Sequence, residues 1–226
     1  MDANNQKFMG LIAHEVRNPL MPLRNAAMAL DRMEVGDPRT IWARAVIQRQ
    51  VQIIADLVQT LVEISALTGD RIKRHPETSL ERACSAALAT AVEQALENDT
   101  HIVMTTPLPD ARVAFQSRAL ERIIGILLGY AIHQSAPGNA ITCAVRLEGR
   151  AAIIEVSERH RGVSGSELAS LFELHGTAKS VPDSMHGVRL TLYLAKQLTE
   201  RYGGTLLCNS GGLGTGSTLE LRVPLV

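Results

Sequence analysis

Between residues 5 and 35 apolar side chains recur every three to four positions, with Phe8, Leu11, Ile12, Val16, Leu20, Leu23, Ala27 and Leu30 on one stripe, which predicts a long amphipathic helix. Gly36-Asp37-Pro38 stops it. A second helical pattern runs over residues 39–67 through Trp42, Val46, Ile53, Leu57, Leu61 and Ile64. The short break predicts an antiparallel hairpin of two helices, each on the order of 45 Å long, and a lone hairpin of that length cannot cover both apolar stripes. Pairing with a second copy, to give a dimeric four-helix bundle closed by a two-fold axis, covers them.

After Thr68-Gly69-Asp70 the pattern changes. Residues 69–79 read as a polar linker, and a mixture of helices and strands follows. Helices are predicted over 80–96, 117–133 and 188–202, and strands over 101–105, 113–115, 140–147, 151–156, 205–208 and 217–223, with a turn at Glu148-Gly149-Arg150. Residues 158–187, rich in Gly, Ser and His, read as a long loop with a short helical piece at 166–173. That order gives an α/β sandwich, one mixed sheet with helices on one face. The expected organisation is therefore a hairpin over 1–68, a linker over 69–79 and a sandwich domain over 80–226.

Composition narrows the partners. The chain has 226 residues, 46% of them hydrophobic, which is ample for packed cores. Its 23 basic and 23 acidic residues cancel, and aromatic residues make up only 3%, so nothing points to nucleic acid or an anionic membrane. Cys84, Cys143 and Cys208 are isolated and odd in number, which indicates reduced thiols rather than a disulfide framework or a zinc site. No apolar run approaches the roughly 20 residues needed to span a bilayer, and Met1-Asp2-Ala3-Asn4-Asn5 lacks a signal pattern. The expectation is a cytoplasmic protein with no metal site and no membrane segment.

The candidate chemistry starts at Phe8-Met9-Gly10-Leu11-Ile12-Ala13-His14-Glu15-Val16-Arg17-Asn18-Pro19-Leu20. His14 and Asn18 share a helix face, because positions i and i+4 stack. Imidazole attacks phosphorus through an unprotonated ring nitrogen, while a neighbouring carboxylate holds or takes the proton on the other nitrogen; Glu15 is placed for that. Asn18 is placed to position a water or a phosphoryl oxygen in the hydrolytic direction. Pro19 predicts a kink just past the acceptor. A lone histidine on a helix is more often a plain surface or core residue; the whole block reverses that preference.

The block resembles the H-box of two-component sensor histidine kinases, in particular those reading His-Glu-x-x-Asn-Pro-Leu followed by Pro-x-x-Asn-Ala, matched here by Met21-Pro22-Leu23-Arg24-Asn25-Ala26. The likeness continues through Leu57-Val58-Gln59-Thr60-Leu61-Val62-Glu63-Ile64-Ser65 and then to the C-terminus. It implies a HisKA-type dimerisation and phosphotransfer bundle, hence a homodimer, joined to a GHKL-type domain of the kind found in gyrase and Hsp90 ATPases. It also implies ATP and Mg²⁺ as cofactors and the receiver domain of a response regulator as partner.

Carried over residue by residue, the resemblance places Tyr130 where an Asn ligates Mg²⁺, and His133 where a basic residue follows. The stretch Glu158-Arg159-His160-Arg161-Gly162-Val163 stands where an Asp contacts the adenine amine ahead of two glycines. Glu158, with its longer arm, is the expected adenine acceptor, and His160 replaces a glycine needed for bend or close approach. Gly187-Val188-Arg189-Leu190-Thr191-Leu192 keeps only the first glycine of a phosphate cradle. Gly212-Leu213-Gly214-Thr215-Gly216-Ser217-Thr218 is intact, and a plain glycine turn between strands explains it nearly as well. Phe172 stands at the lid's aromatic position or in the core, and Arg159, Arg161 and Arg189 either pair with phosphates or are solvated. Losing a metal ligand and cradle glycines together predicts weak or absent ATP turnover.

Three functions follow. In the first, an upstream hybrid kinase's receiver passes a phosphoryl group to His14, which hands it to the Asp of a response regulator. The second is an ATP-dependent sensor histidine kinase with an atypical site, and the third a pseudokinase that binds and sequesters a response regulator. A gyrase-like ATPase or a chaperone has no use for the His14 hairpin.

Overall fold

The computed structural model describes residues 3–34, 37–66, 77–173 and 186–226. The chain divides into two compact units, one containing Met1–Ala66, the other Leu67–Ala178 and Thr191–Val226.

The first unit packs helix α1 (Ala3–Leu30) against helix α2 (Arg39–Ala66), each 28 residues long. Their connection, residues 31–38, reaches about 28 Å when extended, short of the roughly 42 Å length of either helix, so the two run antiparallel. The first helix ends at Leu30, earlier than the periodicity suggested. Asp37 starts the second: its carboxylate accepts from the Arg39 amide at 2.9 Å and its carbonyl from the Thr40 hydroxyl at 2.7 Å. Pro19 and Pro22 both sit inside α1, which leaves the carbonyls of Glu15 and Asn18 without helical partners. Of the predicted stripes Leu57 is buried, Val16, Leu23, Leu30, Val46 and Ile53 are half-buried, and Leu20, Ala27 and Trp42 face outward; Pro19, Ala26 and Ala43, outside those stripes, are buried instead. The side chains of Phe8, Leu11, Ile12, Leu61 and Ile64 lie outside the described residues.

The second unit begins at β1 (Thr78–Ser79) and runs through α3 (Leu80–Glu97), β2 (His101–Met104), β3 (Arg112–Val113), α4 (Ser117–Gln134), β4 (Ala140–Glu148), β5 (Ala151–Glu158), α5 (Gly165–Leu168), most of α6 (His186–Arg201), β6 (Thr205–Ser210) and β7 (Ser217–Pro224). Its five-stranded sheet has the order β2-β4-β5-β7-β6, with β2 parallel to β4 and the other pairs antiparallel. Thr78 and Ser79, at the end of the stretch read as linker, pair with β3 instead. Ser79 also caps α3 by accepting from the Arg82 amide.

Alternation decides which side of the sheet is covered. Ile141, Cys143, Val145, Ile154, Val156, Leu219, Leu221 and Val223 are buried, and α3 and α4 pack against this sheet. Of the intervening positions Ile153 is also buried, between its register partners Arg146 and Arg222, while Arg146 pairs with Glu155 at 3.2 Å and Arg222 with Glu148 at 2.7 Å on an otherwise more polar face. Phe115 is fully buried and stacks on Tyr202 at a centroid distance of 4.4 Å.

Candidate functional site

The hairpin contributes one group of predicted residues. His14 and Glu15 belong to α1, with their side chains outside the described residues. Asn18, one turn further on, is half-buried. Its Nδ2 is buried and has no hydrogen-bond partner among the described residues, a costly arrangement for a donor.

The sandwich contributes the other group, at one corner of the sheet. Glu158 ends β5 and Ser217 starts β7, and the two are register partners. Glu158 is only 2% exposed. Its carboxylate accepts from the backbone amides of His160 at 2.7 Å, Arg161 at 3.1 Å and Gly162 at 3.1 Å, and from the Ser217 hydroxyl at 2.8 Å. An ionised carboxylate offers about four acceptor positions, so this one is fully used. In this structure the longer arm expected to reach adenine turns back onto the loop that follows it.

Two glycines permit this closure. Gly162 has φ +64°, and a side chain there would run into the Gly212 carbonyl; Gly216 has φ +77°, and a side chain there would run into the Glu158 carbonyl. The glycine turn is then bonded to the loop. Gly214 N donates to the Arg161 carbonyl at 2.7 Å, Ser210 Oγ to the Gly216 carbonyl at 2.7 Å, and Val163 N to Ser210 Oγ at 2.9 Å.

Helix α4 supplies the rest of the corner. Tyr130 is buried, and its hydroxyl accepts from Gln134 Nε2 at 3.0 Å. Burial pushes the phenol up to about 12; the Gln134 and Ser217 side chains lower it somewhat, while Cys208 and Glu158 raise it further. The His160 ring reaches the Gln134 carbonyl, Nδ1 to O 3.3 Å, at the C-terminus of that helix. The backbone bend lies at Gly162, because His160 does not have a positive φ; a glycine at 160 is not required by this loop.

Other predicted residues lie apart. His133 is exposed on α4. Thr218 points to the opposite face of the sheet from Ser217, where its hydroxyl lies 2.8 Å from that of Ser157. Gly187 and Arg189 fall in the first turns of α6, with the Arg189 side chain outside the described residues. Phe172 is half-buried beneath the Lys196 ammonium, 5.6 Å from its ring centre. Sequence reasoning missed Gln134 and Ser210. The spacing of Gln134 four residues after Tyr130 was a usable signal, and Ser210 is the register partner of Ser217.

Comparison with known proteins fits this architecture. Residues 115–226 match the family described as histidine kinase-, DNA gyrase B-, and HSP90-like ATPase. The chain is 27% identical over 230 residues to the circadian input-output histidine kinase CikA of Synechococcus elongatus, covering 99% of this chain and 30% of that one. It is 25% identical over 229 residues to the sensor-like histidine kinase SenX3 of Mycolicibacterium smegmatis, covering 99% and 58%. It thus spans well under two thirds of the length of these relatives. Among solved structures, the Acinetobacter baumannii histidine kinase AdeS shares the fold with a TM-score of 0.70 at 14% identity, covering 94% of this chain and 98% of that one. Among the described residues no helix is long and apolar enough to cross a membrane. Taken with the mixed sheet and its helices, these likenesses give residues 115–226 a histidine kinase-type ATPase domain and support a two-component histidine kinase family for the chain.

Proposed function

We propose that the chain is a dimeric phosphorelay protein in which His14 receives a phosphoryl group from the aspartyl phosphate of an upstream hybrid kinase's receiver and passes it to the Asp of a response regulator. The unprotonated ring nitrogen of His14 attacks phosphorus. As the P–N bond forms, the P–O bond of the acyl phosphate breaks and the donor carboxylate leaves with its electron pair. Glu15 holds the proton on the second ring nitrogen, and the acceptor Asp then repeats the displacement in the opposite sense. Asn18 positions a phosphoryl oxygen or a hydrolytic water with its side-chain amide, which has no hydrogen-bond partner among the described residues. Residues 1–68 form the dimerisation and phosphotransfer unit, and the unit from strand β1 onward, Thr78 included, a scaffold in which ATP and Mg²⁺ binding is weak or lost.

The observation that carries the loss of nucleotide is the saturated Glu158 carboxylate. The resemblance gives Glu158 to adenine and Tyr130 to the metal, yet the first has no acceptor position left and the second is a buried neutral phenol. The residues present therefore do not fit the nucleotide and its metal. Dimerisation is supported by α2, whose Ile41, Val51, Val58 and Val62 are each more than half exposed at helical spacing. A second hairpin covers such a face by closing a four-helix bundle.

An ATP-dependent histidine kinase is the second reading, favoured by the family match over residues 115–226. Calorimetric titration of the chain with ATP and Mg²⁺ separates the two. No saturable heat at millimolar nucleotide is expected, and binding at physiological concentration would move the function to the kinase. His14→Ala is expected to abolish signalling; if signalling persisted, the chain would act by sequestering its regulator.

A further inference from the structure

Three consecutive backbone amides, those of His160, Arg161 and Gly162, converge on the Glu158 carboxylate, and the Ser217 hydroxyl completes the set. Successive N–H groups turned toward one point form a concavity that selects anions by dipole alone. Among the described residues no basic side chain forms an ion pair with Glu158, although the carboxylate is 2% exposed. Among the described residues the buried group is thus held by hydrogen bonds, and bonds to an ionised acceptor are about twice as strong as neutral ones. Gly162 and Gly216, both with positive φ, bring the loop and the glycine turn close enough to seal the group in.

We propose that the amides of residues 160–162 and the Ser217 hydroxyl form an anion-binding nest whose ligand is the chain's own Glu158 carboxylate, so that the corner is assembled by an internal ligand and opens to small free carboxylates only when that side chain is removed. Glu158 acts here as a positioning residue. It orders the loop that follows β5 and is hydrogen-bonded to the glycine turn, and it does so without any diffusible ligand. This goes beyond the phosphorelay reading and stands on the corner's own geometry.

The test uses the full chain and sodium formate. In Glu158→Ala, hydrogen exchange at the amides of residues 160–162 is expected to rise at least about tenfold, because each loses a buried acceptor. Formate is then expected to raise the melting temperature of this variant saturably and to restore protection, relative to sodium chloride at the same ionic strength, while leaving the wild type unchanged. Glu155→Gln, on the polar face of the same strand, is expected to show neither effect. Protection that survives in Glu158→Ala, or a formate response equal in the wild type and the variant, would overturn the proposal. Should Glu158→Ala not fold, Glu158→Gln has the same size with one acceptor oxygen fewer, and exchange at residues 160–162 decides: faster supports the nest, unchanged refutes it. A saturable response of the wild type to ATP and Mg²⁺ would count against the phosphorelay reading while leaving the exchange result standing.

Discussion

Along α2, Ile41, Val51, Val58 and Val62 stand more than half exposed, while in the sheet unit even a buried carboxylate finds four donors within its own chain. The hairpin is apolar on two faces and satisfies only one of them. The sandwich closes on itself, down to Tyr130, Gln134 and Ser217 at the corner where the family's nucleotide chemistry would be done. One surface leaves apolar side chains in the open, and the other site uses its hydrogen-bonding groups within its own unit.

The sharpest way to break the comparison is to spoil the open face. Val51→Glu together with Val58→Glu places two charges where a second hairpin would bury them, a change expected to weaken the dimer by at least about a hundredfold. Light scattering behind size exclusion should then find a monomer; an unchanged mass would mean that this face is not the interface. On the sandwich side, Phe115→Ala removes a fully buried ring stacked on Tyr202 and is expected to cost about 3–5 kcal/mol in urea unfolding.

A pH series probes the same self-containment. Burial pushes the thiols of Cys84, Cys143 and Cys208 up to about 12, 11 and 12 from 9.0, and the Tyr130 phenol up to about 12 from 10.0. The folded state therefore holds these protons more tightly than the unfolded one. Their contribution is complete below pH 9, and is lost as the pH rises from there to about 12, at up to about 1.4 kcal/mol per pH unit per group. Urea midpoints should fall over this window, and Tyr130→Phe should flatten the part above pH 10. The smallest effect is expected on the polar face of the sheet. Arg146→Ala breaks partly exposed pairs with Glu155 and Glu220 and should cost less than about 1 kcal/mol, shrinking further in high salt.

How much of this was legible depends on whether a feature has a period. The helices α1, α2 and α4 and the strands β4, β5 and β7 announce themselves through spacing of 3.6 or 2, and the sheet's covered and polar faces follow. Strands β1 and β3, two residues each, are too short to show alternation, so Thr78 and Ser79 read as linker. At the corner, residue identity pointed Glu158 only to an outside ligand, and the backbone path past Gly162, tight against the turn at Gly216, is what brings its own loop's amides within reach. The outward rotation of Leu20 and Trp42 was equally hidden, since a continuous apolar stripe does not say where along its width the first partner helix ends and a second begins.

The account rests on His14 taking phosphorus from a protein rather than from ATP. The direct test presents the purified chain with radiolabelled ATP and Mg²⁺ in one reaction and with a labelled phospho-receiver in another, and follows label on the wild type and on His14→Gln. Label on the wild type from the receiver alone, lost in the variant, is the predicted result. Label reaching His14 from ATP at a catalytic rate, or none reaching it from any receiver, would contradict the account.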